Sequence, residues 1–267
     1  MIRDRKFILI FMMPGIFGFT VFCVFPFLST IQIFLKASDG SGYNLHNLTL
    51  ILQNEVFILA LKNTVVFTLV AILSLNILSF LFAYIINTFF KGVVILALLI
   101  LPLALPTIAV AGIWIDIFSL ERIWIGASSR IIVLSLFLWK YIGLNTIIYI
   151  AGFKSIPKIY YETAIMDGAS KWNRLSRISI PLMSRFIYFG ILISVINSFK
   201  IFREIYAFYG DYPPKNLYLL HHFMQNNFNK LNHENTISAA YIFILLIVAI
   251  MLILFIANKK RGEINID

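Results

Sequence analysis

The sequence predicts an all-α integral membrane protein of six transmembrane helices, and three observations carry that prediction. First, 60% of the 267 residues are hydrophobic and 13% are charged, where a soluble domain carries roughly 25% charged residues. Second, mean hydropathy is +0.90, and six apolar runs reach the length of about 20 residues that a helix needs to cross hydrocarbon. Third, one long polar, charge-mixed segment, 155–181, stands between the fourth and fifth of those runs. Length and composition fit a single membrane domain over 1–267.

The first run, Phe7 to Leu35, contains Pro14-Gly15 and Pro26 and predicts a kinked span. Lys36 to Lys62, rich in Asp, Gly, Ser and Asn, reads as an external loop, and Asn63 to Asn87 as the second span. A turn at Thr88 to Gly92 leads to the third span, Val93 to Phe118. Pro102 and Pro106 lie within it, and neighbouring helices must satisfy the carbonyls they free, which puts this span inside the bundle. Ser119 to Arg130 is a short external connection. Ile131 to Phe153 is the fourth span, Ser184 to about Ile205 the fifth, Tyr206 to Asn235 an external loop, and Thr236 to Ala257 the sixth. Asn258-Lys-Lys-Arg261 then stops transfer.

Orientation follows from Lys and Arg. With the N-terminus inside, 13 basic residues fall at inner segments, Arg185 included, and six at outer loops. Both termini and the 155–181 segment are therefore expected in the cytoplasm. The net charge of +10 reads as basic residues held at that face, not as a nucleic-acid surface. A single cysteine, Cys23 in an apolar run, excludes an intrachain disulfide and argues against redox chemistry. Arg3, Arg5 and Lys6 precede an apolar run too long for a signal peptide, with no small-residue cleavage site, and read as the start of an uncleaved span. No phosphate-binding Gly-rich loop, metal-ligand spacing or catalytic triad stands out; His221-His222 and His233 read as solvated loop residues. The chain is expected to bind no cofactor and not to be an enzyme.

Segment 155–181 reads as two short helices with a hinge. Ser155 is the expected first cap with Pro157 in the first turn, Gly168 the left-handed stop, Ser170 the second cap, and Pro181 the end. Ile159, Thr163 and Met166 share one helical face, as do Trp172, Leu175 and Ser179. With Glu162 on one helix and Lys171, Arg174 and Arg177 on the other, the pair suits docking into a cleft; an amphipathic pair lying on lipid headgroups is the alternative.

Glu162-Thr-Ala-Ile-Met-Asp-Gly168 followed by Ile178-Ser-Ile-Pro181 resembles the "EAA" loop of bacterial ABC importer permeases, written E-A-A-x-x-D-G then I-x-L-P. Ala151-Gly-Phe-Lys-Ser-Ile-Pro157 and Ala169-Ser-Lys-Trp172 are similar to the sugar and glycerol-phosphate subfamily. Asn197-Ser-Phe-Lys-Ile-Phe-Arg-Glu-Ile-Tyr206 is similar to its maltose-F-like or glycerol-phosphate-A-like partner. Thr163 and Ile180 depart mildly from the motif. The resemblance implies a cytoplasmic coupling loop at about 154–183, with Tyr161, Glu162, Ala164, Asp167, Gly168, Ala169 and Trp172 coupling to an ATPase. It further implies a second homologous permease subunit, two cytoplasmic ABC ATPase subunits that carry ATP and magnesium, and an extracytoplasmic solute-binding protein. The setting is the bacterial inner membrane.

Trp139-Lys-Tyr-Ile-Gly-Leu-Asn145 resembles the family's Trp-x-Gly-x-Gly-Phe-Asn run, and by that likeness Tyr141, Leu144, Asn145, Ser194, Asn197 and Ser198 are expected on the substrate path. Asn197 and Ser198 as interhelical glue is the structural alternative. Lys200, about 24 Å up the fifth span, is spaced i,i+4 from Glu204 and expected to pair with it. That leaves Lys140 and Arg203 as spare positive charge, suited to an anionic solute or to snorkelling at the interface. The implied cargo is a sugar or related small polar solute. Phosphate or polyamine import, and a self-contained ion-coupled transporter or membrane-embedded enzyme, are the alternatives; the latter two are disfavoured because Asp116 and Glu204 are the only carboxylates expected in or near the third and fifth spans.

Overall fold

The second half of the first apolar run shows how this chain accommodates proline. In a computed structural model describing residues 2–35, 46–89, 93–119 and 127–264, α1 (Ile2–Phe19) passes through a π-turn at Thr20–Val24 into α2 (Phe25–Leu35). The turn lies immediately before Pro26, and the Phe25 N–H reaches the Thr20 carbonyl, a wide i→i+5 bond. A proline ring clashes with the carbonyl four residues back, and the wider turn makes room for it. The same device recurs inside the 155–181 segment.

The chain divides into two units, Met1–Ile58 with Phe223–Ile244, and Leu59–His222 with Leu245–Asp267. In the first, Tyr241 stacks on Phe34 at 4.8 Å and its hydroxyl donates to the Phe27 carbonyl at 2.9 Å. Asn47, in α3 (His46–Gln53), donates through Nδ2 to the Ile33 and Phe34 carbonyls at 3.2 and 3.3 Å. It satisfies acceptors that the end of α2 leaves open. Asn54 accepts from the Val56 and Phe57 N–H groups and caps α4 (Glu55–Phe89), which therefore begins eight residues before the expected Asn63. A helical cap was present in the polar run; hydropathy alone reads only where the apolar part starts.

In the second unit, the third span is not the single run expected over 93–118. It is α5 (Val93–Ala104) and α6 (Thr107–Ser119), bent by 92° at Leu105–Pro106. Pro106 disfavours helical backbone at Leu105. It also has no N–H for the Pro102 carbonyl, which accepts instead from Leu105 N–H at 3.4 Å. Among the described residues, five helices are long and apolar enough to cross a membrane, six if the bent pair is one span. The other four expected spans lie in α1–α2, α7 (Ala127–Lys154), a helix broken at Ile201, and the last helix, His233–Ile264. The expected connections at 36–45, 90–92 and 120–126 lie outside the described residues.

Helix α7 is the centre of this unit. Gly143 lets the α5 backbone pass directly over it: a Cβ built there would lie 1.8 Å from the Leu99 carbonyl oxygen. Phe137 and Tyr141 meet Ala71, Leu75, Ile201 and Ile205 towards one end. Tyr149, Ile150 and Phe153 meet Ala83, Ile86 and Met183 towards the other.

The expected 206–235 external loop is itself largely helical. A helix at Leu220–Asn229 begins where Thr64 Oγ1 accepts from the Leu220 N–H at 2.9 Å. Asn63 Nδ2 donates to the Lys215 and Tyr218 carbonyls, and Arg130 donates to Asn63 and to the Asn216 carbonyl. His222 is fully buried against Phe202 and Tyr218, and its Nδ1 accepts from the Leu219 N–H at 3.1 Å. The expectation of solvated histidines is corrected for this residue. Burial first, then neighbouring His221, lowers its pKa from 6.5 to about 4.

A depressed basic pKa means that the unfolded chain binds the proton that the folded chain refuses. Stability is expected to fall as pH drops from about 6.5 to about 4, by up to about 1.4 kcal/mol per pH unit, and to level off below. Detergent-solubilised His222→Asn, unfolded across that range, should lose most of this slope, leaving the part due to His221, whose pKa burial also lowers.

Candidate functional site: the helix pair and the polar stripe above it

The 155–181 segment forms α8 (Lys158–Met166), a short α9 (Lys171–Arg174), a π-turn (Leu175–Ser179) and a last helical turn, Ile180–Leu182. Gly168 stops α8 with φ +77°. Ala169 N–H reaches the Ala164 carbonyl at 2.9 Å and Gly168 N–H the Ile165 carbonyl at 3.0 Å. These two bonds are a Schellman stop, which requires a left-handed residue at the glycine position. Ser170 accepts from the Asn173 N–H at 3.2 Å and caps α9 as expected. Ser155 does not cap α8: its hydroxyl donates to the Gly152 carbonyl, and Pro157 holds the cap position without a side-chain bond. Pro181 lies one residue before the end of the second helix, and the next span starts at Ser184 as expected. The π-turn before it, with Ile180 N–H on the Leu175 carbonyl, carries the helix through to Leu182.

The pair is held to the spans from one side. Tyr161 packs with Leu175 and Ile178 against Phe153, Ile156 and Met183, and its hydroxyl lies 2.9 Å from Ser179 Oγ. Of the residues expected to couple, Tyr161, Ala164 and Ala169 are half-buried, while Glu162, Asp167, Gly168 and Trp172 are exposed. Ile159, Thr163 and Met166, expected on one face, are all exposed, and Met166 is 88% exposed. Trp172, 70% exposed, does not share the environment of Leu175 and Ser179, which turn inward. The helix pair leaves Ile159, Tyr160, Ile165, Met166 and Trp172 uncovered, an apolar patch of the kind found at contact sites.

Above it runs a polar stripe. Asn145 donates to Ser194 Oγ at 2.7 Å and to the Gly190 carbonyl, and Asn76 donates to the same Ser194 at 3.0 Å. The Tyr149 hydroxyl donates to Asn76 Oδ1. Ser198 bonds Thr68 at 3.3 Å, and Lys200 donates to Asn197 Oδ1 at 3.2 Å. Of the six residues expected on the substrate path, Tyr141, Asn145, Ser194, Asn197 and Ser198 are buried among helices of this chain, and Leu144 is half-buried. Asn76 and Tyr149 were not singled out by sequence; a lone Asn and a Tyr in apolar runs give no signal of the bond that joins them.

Lys200 does not pair with Glu204. Lys140 Nζ reaches Glu204 Oε1 at 2.5 Å and Thr107 Oγ1 at 3.1 Å, with both charged side chains buried. Glu204 belongs to a second helical piece, Phe202–Tyr209, that follows the break at Ile201 and packs on α6. The break turns Glu204 from the Lys200 side towards Lys140, so Lys140 is not spare charge; Arg203 is exposed.

Residues 88–260 match the model of the "binding-protein-dependent transport system inner membrane component" family. The chain belongs to that family. It is 26% identical over 234 residues to the trehalose/maltose transport system permease protein MalF of Thermococcus litoralis, covering 79% of each chain. It is 25% identical to the arabinooligosaccharides transport system permease protein AraP of Halalkalibacterium halodurans, over 94% of this chain and 87% of that one. The fold is similar, with TM-score 0.81, 21% identity and 96% of each chain covered, to a bacterial ABC transporter involved in import of the acidic polysaccharide alginate. The EAA-like loop of this permease is thus the helix pair described above.

Breaking the buried ion pair in the permease should be costly. Glu204→Gln and Lys140→Met are each expected to destabilise by about 3–5 kcal/mol in SDS titrations of mixed micelles, because one buried charge loses its partner. The double change Lys140→Met/Glu204→Leu should recover most of that loss.

Proposed function

We propose that the chain is the membrane-spanning permease subunit of an ATP-driven sugar importer, and that the 155–181 helix pair transmits ATPase closure to the spans. The observation that carries this is the pair itself: stopped by a Schellman glycine, anchored on one side by Tyr161, and apolar and uncovered at Ile159, Met166 and Trp172. A lever must be rigid where it joins the spans and open where it is gripped. Glu162, Asp167 and Gly168 complete the gripped surface, with Ala164 and Ala169 allowing close approach.

Two cytoplasmic ATPase subunits carry ATP and magnesium and dock on this loop and on that of a second, homologous permease. An extracytoplasmic binding protein delivers the solute. Both termini and the loop face the cytoplasm in this reading, which the bias of Lys and Arg towards those segments supports. ATP hydrolysis belongs to the partners, and this chain is not itself an enzyme.

For cargo, the maltose, arabinooligosaccharide and glycerol-phosphate permeases among the relatives support a sugar or related polar solute. Lys140 is neutralised by Glu204, which removes one of the two charges that suited an anionic solute, while Arg203 stays exposed. Leu144 is assigned to the path wall. Tyr141, Asn145, Ser194, Asn197 and Ser198 support it by fixing the fourth and fifth spans.

The test is co-purification from mild detergent. The wild-type chain should bring down an ATP-hydrolysing subunit, and Gly168→Asp should lose it or yield a complex whose ATPase no longer responds to solute. Any side chain at φ +77° costs about 1 kcal/mol, enough to displace the stop while sparing the spans. An ATPase captured and coupled equally by both would contradict the lever.

A further inference from the structure

Behind the helix pair lies a cleft of about 250 Å³ between the inner end of the second span and the start of α9, lined by Tyr84, Asn87, Phe89, Lys171 and Arg174 among others. No carboxylate lines it. Among the described residues, neither Lys171 nor Arg174 has an ion-pair or hydrogen-bond partner for its side chain. The Tyr161–Ser179 hydroxyl pair also lines it. Ile159, Met166 and Trp172 do not, so the cleft and the apolar docking surface are distinct.

Two unpaired cations lie beside the ends of two membrane-crossing helices, Glu55–Phe89 and Ser129–Lys154, with aromatic rings of Tyr84, Phe89 and Phe153 on the lining. This is the chemistry that holds an anionic headgroup at a cytoplasmic leaflet while its chains follow the apolar span ends. We propose that the cleft binds the phosphate headgroup of an anionic membrane lipid. The proposal rests on the cytoplasmic placement of the loop given above. Bound there, the lipid ties α9 to the second span and makes the lever's rest position depend on the anionic content of the membrane.

The test uses the full chain in detergent and phosphatidylglycerol as the probe, with retained lipid counted by native mass spectrometry. Each basic residue near a membrane surface strengthens binding about fivefold, so Lys171→Gln/Arg174→Gln should weaken retention about 30-fold. Lys154→Gln/Lys158→Gln, which removes two charges from the same segment but none from the cleft, should retain lipid like the wild type. Lys171→Arg/Arg174→Lys should retain it too, separating charge from loss of fold. Equal retention by all four forms would overturn the proposal. Displacement of the lipid from wild type by excess inorganic phosphate would overturn the lipid as occupant in favour of free phosphate. No ATPase is read here, so failure of the lipid site and failure of the lever are separate results.

Discussion

Apolar side chains gain little by leaving lipid for protein, so the hydrogen bonds of the fourth span are the constraint on which the rest of this structure depends. Asn145 is fully buried and gathers Ser194 and Gly190 of the fifth span, while Asn76 of the second span bonds the same serine and Tyr149. Ser79 adds a bond to the Ile142 carbonyl at 3.3 Å. These bonds fix three helices in register where hydrophobicity does not distinguish one rotation from another. Gly143 brings the α5 backbone onto the same helix. The middle of α7 carries Lys140 to Glu204 and Thr107; its C-terminal end carries Phe153 to the anchor of the helix pair. A single helix thus joins the helix pair to the buried ion pair.

Proline supplies the breaks in this system. Before Pro26 and before Pro181 the helix widens into a π-turn and continues. At Leu105–Pro106 it does not, because Pro102 one turn earlier has already removed a donor, and the chain turns by 92°. The resulting α6 packs against the helical piece that holds Glu204, so the broken third span and the broken fifth span meet at the Lys140 ion pair. Two irregular segments satisfying each other's polar groups is the arrangement that a membrane interior tolerates.

Much of this was legible in the sequence, for physical reasons. Span number followed from hydropathy, and the Gly168 stop and the Ser170 cap from local backbone chemistry, since each involves only neighbours in the chain. The misses were of other kinds. Asn54 and Asn47 close helices inside what composition reads as loop, and the expectation that Ser155 caps α8 overlooked its bond to Gly152. The pairing of Lys140 with Glu204 joins residues 64 apart, and the i,i+4 spacing of Lys200 offered a local answer that the break at Ile201 removes. Among the expected path residues, the amides and hydroxyls of Asn145, Ser194 and Ser198 are bonded within the bundle. Their bonds turn them towards sister helices, which a sequence pattern does not reveal.

The claim at the centre of this account is that the uncovered face of α8 is the surface an ATPase grips from the cytoplasm. Cys23 is the chain's only cysteine, so a Cys23→Ser background carrying Met166→Cys places one thiol on that face. The measurement is its labelling by a membrane-impermeant maleimide. In inside-out vesicles stripped of peripheral proteins the thiol should label readily, and re-adding the ATPase should protect it. Labelling from the outer side of intact cells, or equal labelling with and without the ATPase, would contradict the account.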